Sequence, residues 1–214
     1  MRLFRPLVRI QNSMICEFAS AMEVAVGLDA DVARLRRGDL EALAALVQRY
    51  QHRLYRYLLR LVRQQAEAED LFQQTWLRVA SQIRRFDPQR NFDAWLFTLA
   101  RNLAIDHLRH AHLQSLDEHD EDEGSHTPAA LRASDPPPVD TMIAHERASF
   151  VAAAMDELPV LYREVLALRF EEEMKLEEIA EVLGAPLSTV KSRLRRGLEN
   201  LRGTLDARFP RTEW

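Results

Sequence analysis

Between Leu176 and Leu201 two apolar stripes of helical period meet at a single glycine, and no other feature constrains this chain as tightly. Leu176, Ile179, Ala180 and Leu183 repeat at the spacing of one helix face. Gly184 then stands where a left-handed residue ends a helix, and Ala185 and Pro186 make the turn. Ser188 is placed to cap a second helix whose apolar positions are Val190, Leu194, Leu198 and Leu201. Lys191, Ser192, Arg195 and Arg196 fall off that stripe and face outward. A helix anchored on one side and basic on the other, braced across a tight turn, fits the DNA major groove. The small Ala180 allows the two helices to approach closely. A Lys/Arg face is also what a plain solvated helix shows. The turn glycine, the small residue and the one-sided charge together favour a helix-turn-helix over 176–196.

The net charge of −4 looks wrong for a nucleic-acid binder until it is resolved along the chain. Ser188 to Arg211 carries seven Lys/Arg against two acids, and Leu40 to Leu113 also leans basic. Asp156 to Glu181 holds nine acids against three bases, and Gln114 to Glu146 nine acids against one arginine. Local charge, rather than the total, governs phosphate contact. The acidic scaffold, Glu171 to Glu173 included, has three readings: it keeps DNA to one side, it meets a basic partner, or it only solubilises.

Cys16 is the single cysteine, which excludes an internal disulfide and a cysteine-based zinc site and fits a reducing cytoplasm. No stretch reaches the roughly 18 to 20 apolar residues of a membrane span. Gln11, Asn12, Glu17 and Glu23 interrupt the N-terminal apolar stretch, so it lacks the core of a signal peptide. The segment LQSLDEHDEDEGSHTPAALRASDPPPVD is acidic and proline-rich and shows no apolar period, as a flexible tether would. The expected organisation is all-α: two small helical domains, 38–112 and 144–206, joined by a flexible linker at 113–143. A weakly structured extension, 1–37, precedes them and a tail, 207–214, follows.

Three helices are expected in the first domain. Leu40 to Arg63 offers a stripe of Leu43, Leu46, Val47, Tyr50, Leu54, Tyr57, Leu58 and Leu61. Ala66 to Arg85 offers Phe72, Trp76, Val79 and Ile83, with Asp70, Gln73 and Gln74 together on another face. Asp93 to His110 offers Leu96, Leu99, Ala100 and Leu103, after a loop RRFDPQRNF. In the second domain Leu158, Leu161, Val165 and Leu168 would form a scaffold helix with Pro159 in its first turn.

The runs AEDLFQQTWLRV, FDPQRNFDAWLFTLARNLAIDHLRH, ELPVLYREVLALRF and LEEIAEVLGAPLSTVKSRLRRGLENLR resemble the sigma factors of bacterial RNA polymerase. More narrowly, they resemble the two-domain extracytoplasmic-function (ECF) group. The resemblance implies that Asp70, Leu71, Phe72, Gln73 and Gln74 dock on the β′ clamp helices of core polymerase. It implies that the second domain meets the β flap. The loop and third helix would take the melted strand of the −10 element, through Phe86, Arg90, Asn91, Phe92, Trp95, Thr98, Arg101 and Asn102. Aromatic faces stack on unpaired bases while a cation holds the backbone, and an extruded base can be read in a pocket. Phe92 and Trp95 suit a core equally well. Ser188, Thr189, Lys191, Ser192, Arg195 and Arg196 would read the −35 element, the arginines being able to bond guanine bidentately.

By the same resemblance the chain is not an enzyme: it has no catalytic residue, cofactor or metal, and its partners are core RNA polymerase, promoter DNA and an anti-sigma factor. It would be cytoplasmic, without membrane insertion. Two rival classes remain. A helix-turn-helix regulator acting without polymerase would use the N-terminal bundle as a sensor or dimerisation module. A metal enzyme built on His107, His110, His112, His119 and His126 would lack a nucleophile, a glycine-rich phosphate loop and paired buried carboxylates.

Overall fold

The computed structural model describes residues 27–117 and 149–208, and the described residues form helices and short connections with no strand among them. In chain order these are α1 (27–36), α2 (Leu40–Val62), α3 (Gln65–Gln82), a 3-10 turn (Ile83–Arg85), α4 (Phe92–Asp117), α5 (149–156), α6 (Val160–Leu166), a π turn (Ala167–Glu171), α7 (Leu176–Leu183) and α8 (Leu187–Arg208). They fall into two compact units, residues 27–51 with 79–90, and residues 52–78 with 91–117 and 149–208.

The first unit buries Val32, Leu35, Leu46, Tyr50, Val79, Ile83 and Phe86. Leu43 and Val47, expected in the same stripe, are only half-buried. Helix α1 ends at Gly38, whose φ of 96° only glycine adopts without strain. Asp39 then accepts the N–H of Glu41 at 3.0 Å and the Arg34 guanidinium at 2.8 Å. That pairing holds its carboxyl below the usual carboxylate range. Residues 27–36 were expected to belong to a weakly structured extension. They are helical because Val32 and Leu35, three apart, both find cover, a pattern too short to read as a period.

In the second unit Tyr57 meets Phe97 edge-on, with ring centroids 5.1 Å apart, and the Arg53 guanidinium lies 5.7 Å from the centroid of the Phe97 ring. On α3 the buried residue is Leu71, while Phe72 is half-buried and turns its ring edge towards Trp76 at 6.3 Å. Ala68, Leu71 and Thr75 lie on the inward line of the helix and leave Phe72 at its margin. Helix α4 runs on to Asp117, past the expected domain end at 112, since His112 to Asp117 contain no helix breaker. Residues 118–143, the rest of the expected linker, lie outside the described residues, as do residues 1–26, 144–148 and 209–214.

Gly184 closes α7 at φ 57° and ψ 36°, with the Ala185 N–H donating to Ala180 O at 3.1 Å. Helix α8 begins one residue earlier than expected: Pro186 O accepts the N–H groups of Thr189 and Val190 at 2.9 and 3.1 Å. Ser188 therefore sits inside the first turn and is not the cap. Leu194 and Leu201 pack on Met155, Leu158 and Leu166. The contact line of α8 runs through Val190, Leu194, Gly197 and Leu201, so Leu198, expected on that stripe, is 42 % exposed. Leu161 is likewise 46 % exposed, because the inward face of α6 is centred on Arg163 to Leu166.

Gly197 is where α8 and α6 approach most tightly: an added Cβ would lie 3.3 Å from Leu166 Cγ and Cδ1 and 3.4 Å from Tyr162 Cβ. Gly203, one and a half turns on, has open space around it. Gly197→Leu should lower stability by about 1–3 kcal/mol through overpacking, and Gly203→Ala should raise it by up to about 1 kcal/mol. Thermal unfolding of the two variants beside the parent chain checks both signs.

Candidate nucleic-acid interface

The outward face of α8 is built as its basic pattern implies. Lys191, Arg195 and Arg196 are exposed, and Lys191 and Arg196 form no ion pair with any described residue. Arg195 is held 3.0 Å from Glu199 one turn on, and the half-buried Ser192 gives its hydroxyl proton to Thr189 O at 2.9 Å. Ser188 is exposed and Thr189 half-buried beside them. Three cations and two hydroxyls thus occupy one side of the first three turns, the geometry that the major groove accepts.

On α3, Asp70 and Gln73 are exposed, and Gln74 Nε2 donates to Asp70 Oδ2 at 2.6 Å. These three share a surface. Leu71, 2 % exposed, is turned inward and supports that surface from behind.

The loop and α4 divide the remaining candidates. Phe86 and Phe92 are buried. Trp95, Thr98 and Arg101 are half-buried, and Arg90, Asn91 and Asn102 are exposed. Phe92 and Trp95 lie with ring centroids 5.7 Å apart. Thr98 donates its hydroxyl proton to Ala94 O at 2.7 Å. Asn91 caps α4: its Oδ1 accepts the Ala94 N–H at 3.3 Å while its backbone carbonyl accepts the Trp95 N–H. Its other side-chain atom, Nδ2, donates to Glu178 Oε1 at 2.8 Å, and Glu178 Oε2 accepts the Lys175 N–H that starts α7.

That last bond belongs to a wider set that reading by motif missed. Helices α2 and α4 supply cations and donors, and the segment from Asp156 to Glu178 supplies acids. Arg53 Nε donates to Glu172 at 2.7 Å and its Nη1 to Asp93 at 3.2 Å. Arg60 spans Asp156 and Glu171, both at 3.0 Å. Arg101 Nε donates to Glu164 Oε1 at 2.8 Å, and the Tyr57 hydroxyl donates to the same oxygen at 3.2 Å. Arg163 donates to Asp156 O at 3.0 Å and to Leu61 O at 3.4 Å, which answers a carbonyl in the last turn of α2. Of the readings for Glu171 to Glu173, Glu171 and Glu172 therefore meet basic partners, and only Glu173 stands exposed.

Burial sets the electrostatics here. It raises the carboxyl of Glu164 above the ordinary glutamate range against the pull of Arg101 and Tyr57, and that of Glu172 against Arg53. Burial beside Glu164 likewise raises the Tyr57 hydroxyl well above its ordinary value. The Arg163 guanidinium is pulled down to about 10, first by burial and then by the like charge of Arg63.

The curated relatives decide the family. Residues 46–113 match Sigma-70 region 2 and residues 151–201 match Sigma-70, region 4. The ECF RNA polymerase sigma factor SigW of Bacillus subtilis is 34% identical over 178 residues, which is 81% of this chain and 94% of that protein. The chain belongs to the ECF sigma factors of bacterial RNA polymerase. RNA polymerase sigma factor CarQ of Myxococcus xanthus is also 34% identical, over 172 residues covering 80% of this chain and 94% of that one. In fold, the chain is similar to CnrH in complex with the cytosolic domain of CnrY, at TM-score 0.62 and 24% identity over 85% of this chain and 98% of that one. It is also similar to RpoE bound to the anti-sigma factor NepR from Bartonella quintana, at TM-score 0.58 and 23% identity over 76% and 97%.

As a sigma factor the chain is not catalytic. The histidines pair locally: His107 Nε2 lies 3.1 Å from Glu67 Oε2, and His110 Nδ1 donates to Asp106 O at 2.7 Å. His119 and His126 lie outside the described residues, and nothing is described of the His112 side chain. No helix among the described residues is long and apolar enough to cross a membrane.

The double role of Asn91 yields a direct check. Asn91→Ser keeps an N-cap on α4, whereas Asn91→Ala removes it at a cost of about 1 kcal/mol. Thermal unfolding should therefore rank the parent and Asn91→Ser together, above Asn91→Ala.

Proposed function

We propose that this chain binds core RNA polymerase through the Asp70–Gln74 surface of α3 and the exposed apolar side of region 4. It then reads two promoter elements with separate surfaces. Helix α8 meets the upstream element through Lys191, Arg195 and Arg196, with Ser188, Thr189 and Ser192 as polar contacts. The single observation that carries this reading is the exposed cationic face of α8 set on a helix-turn-helix within the region 4 match. The melted downstream strand would lie on Trp95, Thr98, Arg101 and Asn102, with Arg90 and Asn91 at the loop. Phe86 and Phe92, being buried, shape this surface from beneath and do not touch the strand. Opening the duplex costs stacking energy, and capture of the unstacked bases offsets part of it.

Domain limits near 38–112 and 144–206, with a tether between them, would let the two surfaces span both elements. Cytoplasmic residence follows from this role. The solved complexes of CnrH with CnrY and of RpoE with NepR support control by an anti-sigma factor here too.

Run-off transcription with purified core polymerase on a genomic fragment library tests this function. New discrete start sites that share two upstream motifs are the expected result. A chain that never co-sediments with core would sink the assignment in favour of a stand-alone DNA-binding regulator. Two variants separate the surfaces. Arg196→Ala should weaken upstream-element binding by about 1–3 kcal/mol if it reads a base, with core binding intact. Asp70→Ala with Gln73→Ala should impair co-sedimentation with core while duplex binding survives.

A further inference from the structure

Region 4 of this chain lies against the surface of region 2 to which strand capture is assigned. Arg101 and Asn91, both in that surface, are held by Glu164 and Glu178 at 2.8 Å. Arg53 and Arg60 of region 2 are held by Glu172, Asp156 and Glu171. Helices α4 and α7 pack directly on one another. The charge segregation along the sequence has its counterpart here. The basic-leaning stretch from Leu40 to Leu113 meets the net-acidic stretch from Asp156 to Glu181. Arg101 cannot bond Glu164 and a DNA phosphate at once, so this arrangement and strand capture exclude each other.

The interface is also built to come apart. Its two most deeply buried carboxylates each leave one oxygen enclosed with no hydrogen-bond partner, Oε2 of Glu164 and Oε1 of Glu172. Enclosed charge with unmet bonding capacity costs desolvation energy that the pairing only partly returns. Such pairs set register sharply and contribute little net adhesion. Opening would rehydrate the carboxylates and release the cations to phosphate.

We infer that the acidic face of region 4 is an intramolecular stand-in for nucleic acid, closing over Arg53, Asn91 and Arg101 and holding the free chain in a self-masked state that core polymerase or DNA must open. This rests on the assignment of Asn91 and Arg101 to strand capture. The masking lowers the apparent affinity for single-stranded DNA by the fraction of molecules that are open.

The test uses the full chain with Cys16→Ser, labelled with a fluorescent donor and acceptor at Ala66→Cys and Gly203→Cys, both exposed positions. Energy transfer reports closure, and a short randomised single-stranded oligonucleotide is the binding probe. The parent chain should show high transfer. Glu164→Lys with Glu172→Lys should show low transfer and bind the oligonucleotide at least about tenfold more tightly. If that pair fails to fold, judged by helix content and by duplex binding of α8, Glu164→Gln with Glu172→Gln takes its place, with a smaller shift in the same direction. Low transfer in the parent chain, or unchanged transfer in a folded variant, overturns the closure. Low transfer with unchanged oligonucleotide binding overturns the masking. Adding Arg101→Ala to the opened variant then separates the two ideas: if that also changes nothing, the strand-capture assignment has failed as well.

Discussion

Glu164 is a fully buried carboxylate, and much of the second unit is arranged around the need to answer its charge. One oxygen takes the Arg101 guanidinium and the Tyr57 hydroxyl. Tyr57 is positioned by the edge of Phe97, and Arg53 approaches the same ring before reaching Glu172. A charge withdrawn from water is tolerated only where partners are fixed in place. The aromatic pair and the two arginines therefore act as one group, and α6 could not keep its Arg163–Leu166 face inward without them.

The upstream-reading surface depends on a different constraint, steric rather than electrostatic. Gly184 turns the chain in a left-handed conformation, and Gly197 lets the backbone of α8 approach Leu166 and Tyr162. With α8 seated along Val190, Leu194, Gly197 and Leu201, the residues between them face outward. Lys191, Arg195 and Arg196 are exposed because the opposite face of the helix has no choice. Function here is the by-product of a packing line, which explains how a net-acidic chain can present a concentrated basic edge.

Much of the fold was legible. Periodicity of 3.6 residues located α2, α3, α4, α7 and α8, and the Gly184 stop was readable from glycine chemistry alone. The misplacements share one cause. Phe72, Leu161 and Leu198 were assigned to buried stripes, but each lies one or two positions beside the true contact line. Apolar character alone does not say which of two adjacent positions faces the partner. Ser188 was displaced from its capping role because α8 begins at Leu187, directly after Pro186. Of the candidate site residues, the exposed polar ones on α3 and α8 share surfaces as the spacing implied. Phe86, Phe92 and Leu71 are buried, since an aromatic or leucine in a motif serves a core as readily as a ligand.

By itself the sequence determined the helical class, the helix-turn-helix, the basic edge of α8 and the kinship with sigma factors, because all of these are written in local spacing and residue type. It also showed that acids cluster from Asp156 to Glu181 without showing what they are for. Only the tertiary structure decided which arginine meets which carboxylate. Those pairings link residues between 63 and 119 positions apart, Arg101 with Glu164 and Arg53 with Glu172. Over such separations charge pattern is degenerate, and the choice of partner is made by the packing of helices that brings one acid, and no other, within hydrogen-bonding reach.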